Sequence, residues 1–466
     1  MKYTQFLKEN QEFRRSFFLT SRIFFTNDKR WYVAMQVIQA VNGWLFSGPV
    51  LILLFGIHVY FTIYTGVVQR KLGTGIRLSL RGTGTEKKGM SSFGTLTTTL
   101  AATLGTGNII GVSTAVSLGG PGAVFWCWLT GVLGMATTYA ETTLCCTYRE
   151  TQGREPVGGM MYVLKNALGK KKLASFYSFF ICFSAYFAGC TTQSNAISET
   201  CRGIWELPKW LVGIIVALTV GLVILQGVKW IEKASMMIVP AMALLFVAGC
   251  LFYLVLHIGY FPAAIRQIVT SAFSPRCAAA GGLGYTVGAA VRYGVARGLF
   301  TNEAGLGTSG IAAACGEEKI SPEEQGLISM TATFWDTVVL CAVTGIVVVI
   351  YQAKHAIAKS GMASGLLVKE AFAELPLGGT EIIGVATVAF AVATLIGWSL
   401  FGKVAAEFLG GKQLTRTYQY IYVIMIFAGA VMPLGFVWEI TDFVNLFLLV
   451  PSVYTLLCCR KILRKK

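Results

Sequence analysis

The segment Ala102-Thr103-Leu104-Gly105-Thr106-Gly107-Asn108 gathers the groups that a small zwitterion and a hard cation need. Glycine costs about 1 kcal/mol per position in a helix. Two glycines among threonine and asparagine therefore predict a break, with amides and carbonyls freed from helical bonding. Amides at a half-helix N-terminus favour a carboxylate. Carbonyls, with the Thr103 and Thr106 hydroxyls, suit an ammonium group or a hard cation that takes oxygen ligands. The competing reading is close helix packing through small residues.

A second string of this kind is Arg297-Gly298-Leu299-Phe300-Thr301-Asn302-Glu303-Ala304-Gly305-Leu306-Gly307-Thr308. Other polar residues stand in apolar surroundings, where they are costly and face a bundle interior. Gln193, within Gly189-Cys190-Thr191-Thr192-Gln193-Ser194-Asn195, reaches either a ligand carboxylate or a neighbouring helix. Asp336, one of three aspartates, either pairs with Arg292 or Arg297 or relays a proton. With Asn302 and Glu303 it is a candidate for gating or coupling. Thr394 would complete a cation site begun by carbonyls of the first break, and Trp398, beside Ser399, would wall a ligand; ordinary packing is the alternative for each. Tyr139, Glu141 and Arg149 read either as an inner gate or as a structural network.

The elements that position these residues follow from composition. Of 466 residues 55% are hydrophobic and 13% charged, with a mean hydropathy of +0.63; a soluble chain carries about 25% charged residues. Runs of roughly 20 apolar residues span a bilayer. They fall at a leading helix, 44–66, and at ten core helices: 93–118, 121–147, 174–200, 209–226, 235–257, 281–315, 326–351, 380–402, 417–435 and 437–458. The expectation is an all-α polytopic membrane protein of about eleven transmembrane helices in a single domain, 41–466. The two breaks lie in core helices one and six. Five is odd, so the repeats at about 93–257 and 281–458 would be inverted, the arrangement that points to a transporter with a midplane site.

Lys and Arg number 23 on one set of loops plus the C-terminal tail, and seven on the opposite set, which places the C-terminus in the cytoplasm. The tail at 1–40 interleaves Arg14, Arg15, Arg22, Lys29 and Arg30 with Phe17, Phe18, Phe24, Phe25 and Trp31, the composition of an interfacial helix. The net charge of +17 is scattered in short clusters rather than in the basic stripe a nucleic-acid binder needs. Twelve cysteines, mostly in apolar runs, and three histidines outline no metal site or cofactor. No nucleophile, base and oxyanion site converge as an enzyme requires. A channel would need a continuous pore with repeated rings, which two single broken helices do not suggest.

The strings TLGTGNIIGVSTAVSLGGPGAVFWCW, LGMATTYAETTL, PVGGMMYVL and RGLFTNEAGLGTS resemble the alanine-or-glycine:cation symporter family, from about Gly43 to the C-terminal helices. The resemblance implies the inverted-repeat fold of the bacterial leucine transporter, in a bacterial or archaeal inner membrane. It implies sodium-driven symport of alanine, glycine or D-alanine by a monomer, with proton coupling or exchange as alternatives. Amides of Thr106 and Gly107 in the Gly105-Thr106-Gly107-Asn108 pattern would meet the substrate carboxylate. Phe300 and Thr301 would contact the substrate, and Gln193 fits the polar motif of helix three. Carbonyls of Ala101 and Leu104 with Thr394 would hold sodium. Family members often carry Asn where Cys190 stands and a second Thr where Ala393 stands, so one hydroxyl near that site is missing.

Overall fold

The computed structural model describes residues 48–81, 89–152, 155–273, 287–355, 366–376, 378–432 and 434–464, apart from the side chains of 434–440 and 442. The tail expected at 1–40 lies outside them. The described chain is helical apart from an antiparallel hairpin, β1 (Glu150–Gln152) with β2 (Glu155–Val157), and an isolated bridge between Met90 and Gly316. The leading helix α1, Pro49–Tyr64, turns by 67° into a second arm ending in α2, Leu72–Ser79. That arm carries Arg70, Lys71 and Arg77, a basic stretch suited to a membrane interface.

Core helix one breaks where the glycines predict. α3 is Ser92–Thr103, one 3-10 turn covers Thr106–Asn108, and α4, Ile110–Gly119, sets off at 62°. The unbroken α5 spans Gly122–Thr147, followed after the hairpin by the short α6, Met160–Asn166. Helix three is longer than expected and does not end at the Gly189–Asn195 string. It runs from α7 (Lys171–Ser184) through a π-helical stretch, Ala185–Thr191, into α8 (Thr192–Trp205). Next come α9 (Lys209–Leu225) and α10 (Val228–Leu256). The expected loop at 258–280 holds a further helix, α11 (Phe261–Phe273), buried through Ala264, Ile268 and Ala272.

Helix six divides into α12 (Val287–Asn302) and α13 (Ser309–Ala314). Its break is shorter and later than expected, because Arg297 to Asn302 stay helical. Gly305 and Gly307 take φ of 98° and 81°, where an L side chain is strained. Glu303 holds φ 53° despite its side chain. Helix seven joins α14 (Pro322–Thr333) to α15 (Ala342–Lys354) through π-helical Phe334–Cys341. After the short α16 (Leu367–Ala373) comes α17, Gly379–Val431, non-helical at Gly410 and Gly411. The chain folds back there, since the Tyr422 hydroxyl donates to the Leu395 carbonyl at 2.8 Å. The loop expected at 403–416 is therefore two helix ends meeting at a two-residue turn. The last helix is α18, Leu434–Cys459.

Among the described residues six helices are long and apolar enough to cross a membrane, and two bent pairs raise this to eight. α9, with 17 residues, and the broken helix six stand outside that count of length and composition. Large apolar side chains point outward, such as Leu218 and Leu222 on α9 and Met237 and Leu244 on α10. The interior holds, beside its apolar core, many threonines, among them Thr95, Thr98, Thr137 and Thr138. An outer face this apolar suits a hydrocarbon solvent.

Candidate functional site

The first break is held from three sides. Asn108, fully buried, accepts from the Gly105 amide at 3.1 Å and donates to the Asp336 carboxylate at 2.5 Å, with further contacts to the Asp336 carbonyl and Cys341. Helix one is thus tied to the π segment of helix seven, a local feature often found at functional sites. From helix three, Gln193 Oε1 accepts from the Thr106 hydroxyl at 3.2 Å and the Thr106 amide at 3.4 Å. From α17, the Thr394 hydroxyl lies 3.0 Å from the Leu104 carbonyl, sharing its proton with the Phe390 carbonyl of its own helix. A Cβ on Gly397 would sit 2.5 Å from the Ala102 amide and 2.9 Å from the Ala101 carbonyl carbon. Only glycine lets α17 approach the backbone of helix one this closely. Of the expected sodium ligands, the Leu104 carbonyl and the Thr394 hydroxyl are in contact, and the Ala101 backbone lies against Gly397, one turn along α17.

Other expected residues are placed differently. Thr103 donates to the Thr99 carbonyl of its own helix at 3.3 Å, and Ser399 to Ile396 at 2.6 Å. Phe300 lines a gap shared with Leu51 and Leu54 of α1 and Leu449 of α18. The ion pair expected between Asp336 and Arg292 or Arg297 does not form. Asp336 is satisfied by Asn108 and by the Thr337 hydroxyl at 2.7 Å. Arg292 is exposed and lies over the Tyr293 ring.

Arg297 turns toward helix one. A Cβ on Gly107 or on Gly111 would run into its guanidinium, while Nε donates to the Thr301 hydroxyl at 2.9 Å. In the sequence Arg297 opens the second glycine string and offers a charge to Asp336; its place one turn before Thr301 is the signal for this contact.

The break in helix six is braced by neutral donors and buried carboxyls. Glu303 accepts from the Thr308 hydroxyl at 2.8 Å, and the Trp398 side chain supplies a further partner. Asn302 Oδ1 accepts from the Ala304 amide at 3.0 Å. Glu141 accepts from the Gly307 amide at 3.0 Å and from Ser452 at 3.4 Å. Arg149 donates to the carbonyls of Gly316, Glu317 and Glu318. Glu141 thus touches the break in helix six and Arg149 the chain just after α13, in two separate sets of hydrogen bonds. At the start of helix one, Glu232 of α10 accepts from both the amide and the hydroxyl of Ser91 at 2.8 Å. Sequence reasoning missed this contact, because nothing in the spacing links residues so far apart.

Two broken helices, five apart and each with a buried polar break, define a secondary transporter rather than an enzyme. The chain belongs to the sodium:alanine symporter family, which it matches over residues 31–466. It is 40% identical to an uncharacterized transporter of Haemophilus influenzae, covering 92% of this chain and 94% of that one. It is 37% identical to the sodium/alanine symporter AgcS of Methanococcus maripaludis (91% and 94%) and 30% identical to the probable sodium/glutamine symporter GlnT of Bacillus subtilis (89% and 86%). Among solved structures it is similar to MhsT in complex with L-phenylalanine, at 13% identity and a TM-score of 0.57, over 80% of this chain and 89% of that one. A substrate-bound outward-open sodium-coupled sialic acid symporter gives 10% identity and a TM-score of 0.51, over 88% and 97%. At such identities the likeness is one of fold, the leucine-transporter fold. The protein is a membrane transporter.

Proposed function

We propose that this chain carries alanine, and with it glycine and D-alanine, into the cell together with sodium by alternating access. The observation that supports this best is the meeting of the Leu104 carbonyl with the Thr394 hydroxyl, 290 residues apart, beside the break in helix one. Sodium taken up between the Ala101 and Leu104 carbonyls and Thr394 would order the broken segment. The ordered segment would then receive the substrate near Gly107, with Gln193 and Asn108 holding its shape. Such coupling between two ligands is reciprocal. Core helices one, two, six and seven would move against the rest, with Glu303 and Asn302 at the hinge of helix six. The protein would work as a monomer in a bacterial or archaeal plasma membrane, its C-terminus cytoplasmic, as a single transporter domain from 41.

The test is uptake of radiolabelled alanine into liposomes holding the purified protein, with an inward sodium gradient or with choline in its place. Uptake with sodium alone supports the reading; equal uptake in both removes sodium coupling. Unlabelled glycine, D-alanine and glutamine as competitors rank the substrates. A second reading, proton coupling, draws on Asp336, a fully buried carboxyl that accepts hydrogen bonds from the neutral Asn108 and Thr337 side chains. An alanine-dependent change of internal pH without sodium would favour it.

A further inference from the structure

We propose that the basic arm after α1, together with a 3-10 turn at the C-terminal end, binds the headgroups of anionic phospholipids, and that a bound lipid sets helix seven for faster transport. The binding surface lies outside the carrier site and does not depend on which substrate is carried.

Three observations carry it. The first is the course of the chain. Gly66 and Val67 take φ of 66° and 58°, and this left-handed pair sits at the 67° bend after Tyr64. The 3-10 turn Val68–Lys71 and then α2 thus leave the direction of a membrane span for that of its surface. Val68, Gly75 and Ser79 are buried, whereas Arg70, Lys71, Arg77 and Arg81 are exposed. Such a division suits a membrane–water boundary. The second is convergence of charge. The 3-10 turn Arg460–Arg464 packs against α5, as the turn Val68–Lys71 does. The Arg464 guanidinium lies 5.8 Å from the centre of the Tyr64 ring, at the foot of the same bend. Arg460, Lys461 and Arg464 are exposed too. Among the described residues no carboxylate lies within ion-pair distance of any of these seven cations. Ile63, Val67 and Leu80 expose apolar side chains on the same stretch. The third is a mechanical link. A Cβ on Gly75 would come within 2.4 Å of the Leu327 carbonyl oxygen and 2.8 Å of the Thr331 methyl. α2 therefore sits directly on the backbone of α14, the first half of helix seven.

Chemistry joins these points. A lipid phosphate is matched by the planar fork of arginine and by the point charge of lysine. Beside a membrane span, each Lys or Arg gains roughly fivefold in affinity for an anionic surface. A zwitterionic headgroup has no net charge to offer, so the surface discriminates by headgroup. The exposed apolar side chains suit the acyl chains of the same lipid. A headgroup held between the arm and the C-terminal turn would draw both to the foot of α1 and press α2 onto helix seven. Helix seven in turn holds the break of helix one, through Asp336 and Asn108. The competing account is that these cations serve only to orient the chain during membrane insertion, in which case headgroup identity has no effect on the folded carrier.

The experiment adds phosphatidylglycerol or phosphatidylcholine to the detergent-solubilised full chain and counts bound lipid by native mass spectrometry. Alanine uptake is then measured in vesicles of phosphatidylcholine, plain or mixed with phosphatidylglycerol. The variants are Arg70→Gln with Lys71→Gln and Arg77→Gln, and the charge-keeping pair Arg70→Lys with Arg77→Lys. Wild type should retain phosphatidylglycerol in preference to phosphatidylcholine, and its Vmax should rise about threefold or more in the mixed vesicles. The triple variant should bind phosphatidylglycerol about tenfold or more weakly and lose that rise, with uptake in plain vesicles unchanged. The lysine pair should keep both. Equal binding of the two lipids by wild type overturns the proposal, as does a rise retained in the triple variant or binding without any rise. Competition by glycerol phosphate, the soluble headgroup, would assign the patch to a free anion and overturn it as well. If the triple variant is not monodisperse, Lys461→Gln with Arg464→Gln, on the other flank of the patch, takes its place. Lipid binding is read without transport. A wild type that carries no alanine would therefore remove the functional reading, while the mass spectrum still decides the lipid surface.

Discussion

Asn108 is a short side chain that closes two contacts at once, steadying the Gly105 amide within the break and donating to Asp336 on helix seven. Removing it leaves a buried carboxyl oxygen without its donor, at a cost of about 1–3 kcal/mol or more. Asn108→Ala should therefore lower alanine uptake tenfold or more while the protein still reaches the membrane; unchanged uptake would show that the tie to helix seven is dispensable. Thr394→Ala removes the hydroxyl that meets the Leu104 carbonyl, and the sodium concentration for half-maximal uptake should rise several-fold. An unchanged sodium dependence would move the ion elsewhere. Residue types and spacing marked both positions, because a hydroxyl and an amide in apolar runs stand out. What they could not supply was partnership across the chain. Asp336 was matched to arginine because opposite charges attract, whereas the folded chain satisfies it with Asn108, 228 residues away.

Among the elements, the two halves of helix one have separate attachments. α3 starts at Ser91, which receives Glu232 from α10, and Gly94 has no room for a side chain against that carboxylate. Glu232→Ala should free the first turns of α3. Hydrogen bonds to a charged group are worth about 1.5–3 kcal/mol, so amide exchange over residues 91–103 should quicken roughly tenfold or more. Unchanged exchange would mean that packing alone holds the end. In helix six, Gly305 takes φ 98° and lies against Leu54 of the leading helix. Gly305→Ala meets both strain and contact, and alanine uptake should fall sharply. The glycine strings announced both breaks. The limits of the second were not legible, because Phe300, Thr301 and Asn302 are compatible with helix and only the positive-φ residues end it. α11 was missed for a related reason: its buried stripe of Ala264, Ile268 and Ala272 is short and weakly apolar.

For the molecule as a whole, charge distribution and hydrophobic length conveyed the class before any contact was known, since both are averages over many residues. Contacts between loop ends are not averages. Glu374, after α16, gathers Lys354 at 3.0 Å, the Tyr253 hydroxyl at 3.2 Å and His355, tying together the ends of α10 and α15. Burial alone would raise its carboxyl, but hydrogen bonds from His355 and Lys354 outweigh it and hold the group below its ordinary 4.5. A lowered folded value means stability that is complete above the ordinary value and is lost as pH falls through the folded one. The thermal midpoint of the purified protein should therefore drop with acidification below about pH 4.5. Glu374→Gln should lower the midpoint at neutral pH and flatten that acid limb. An unaltered limb would assign the acid sensitivity to other carboxylates.

The turn at Gly410 and Gly411 decides parity. A straight rod of 53 residues would reach about 80 Å, far beyond a hydrocarbon layer of about 30 Å. Because the chain reverses in two residues, one continuous helical stretch counts as two crossings. Everything after it emerges on the face opposite to the one a single crossing would reach. A substitution that straightened those residues would thus do more than distort a corner. It would leave α18 and the basic residues behind it on the wrong side of an even-and-odd count, a change in mirror order rather than in local shape.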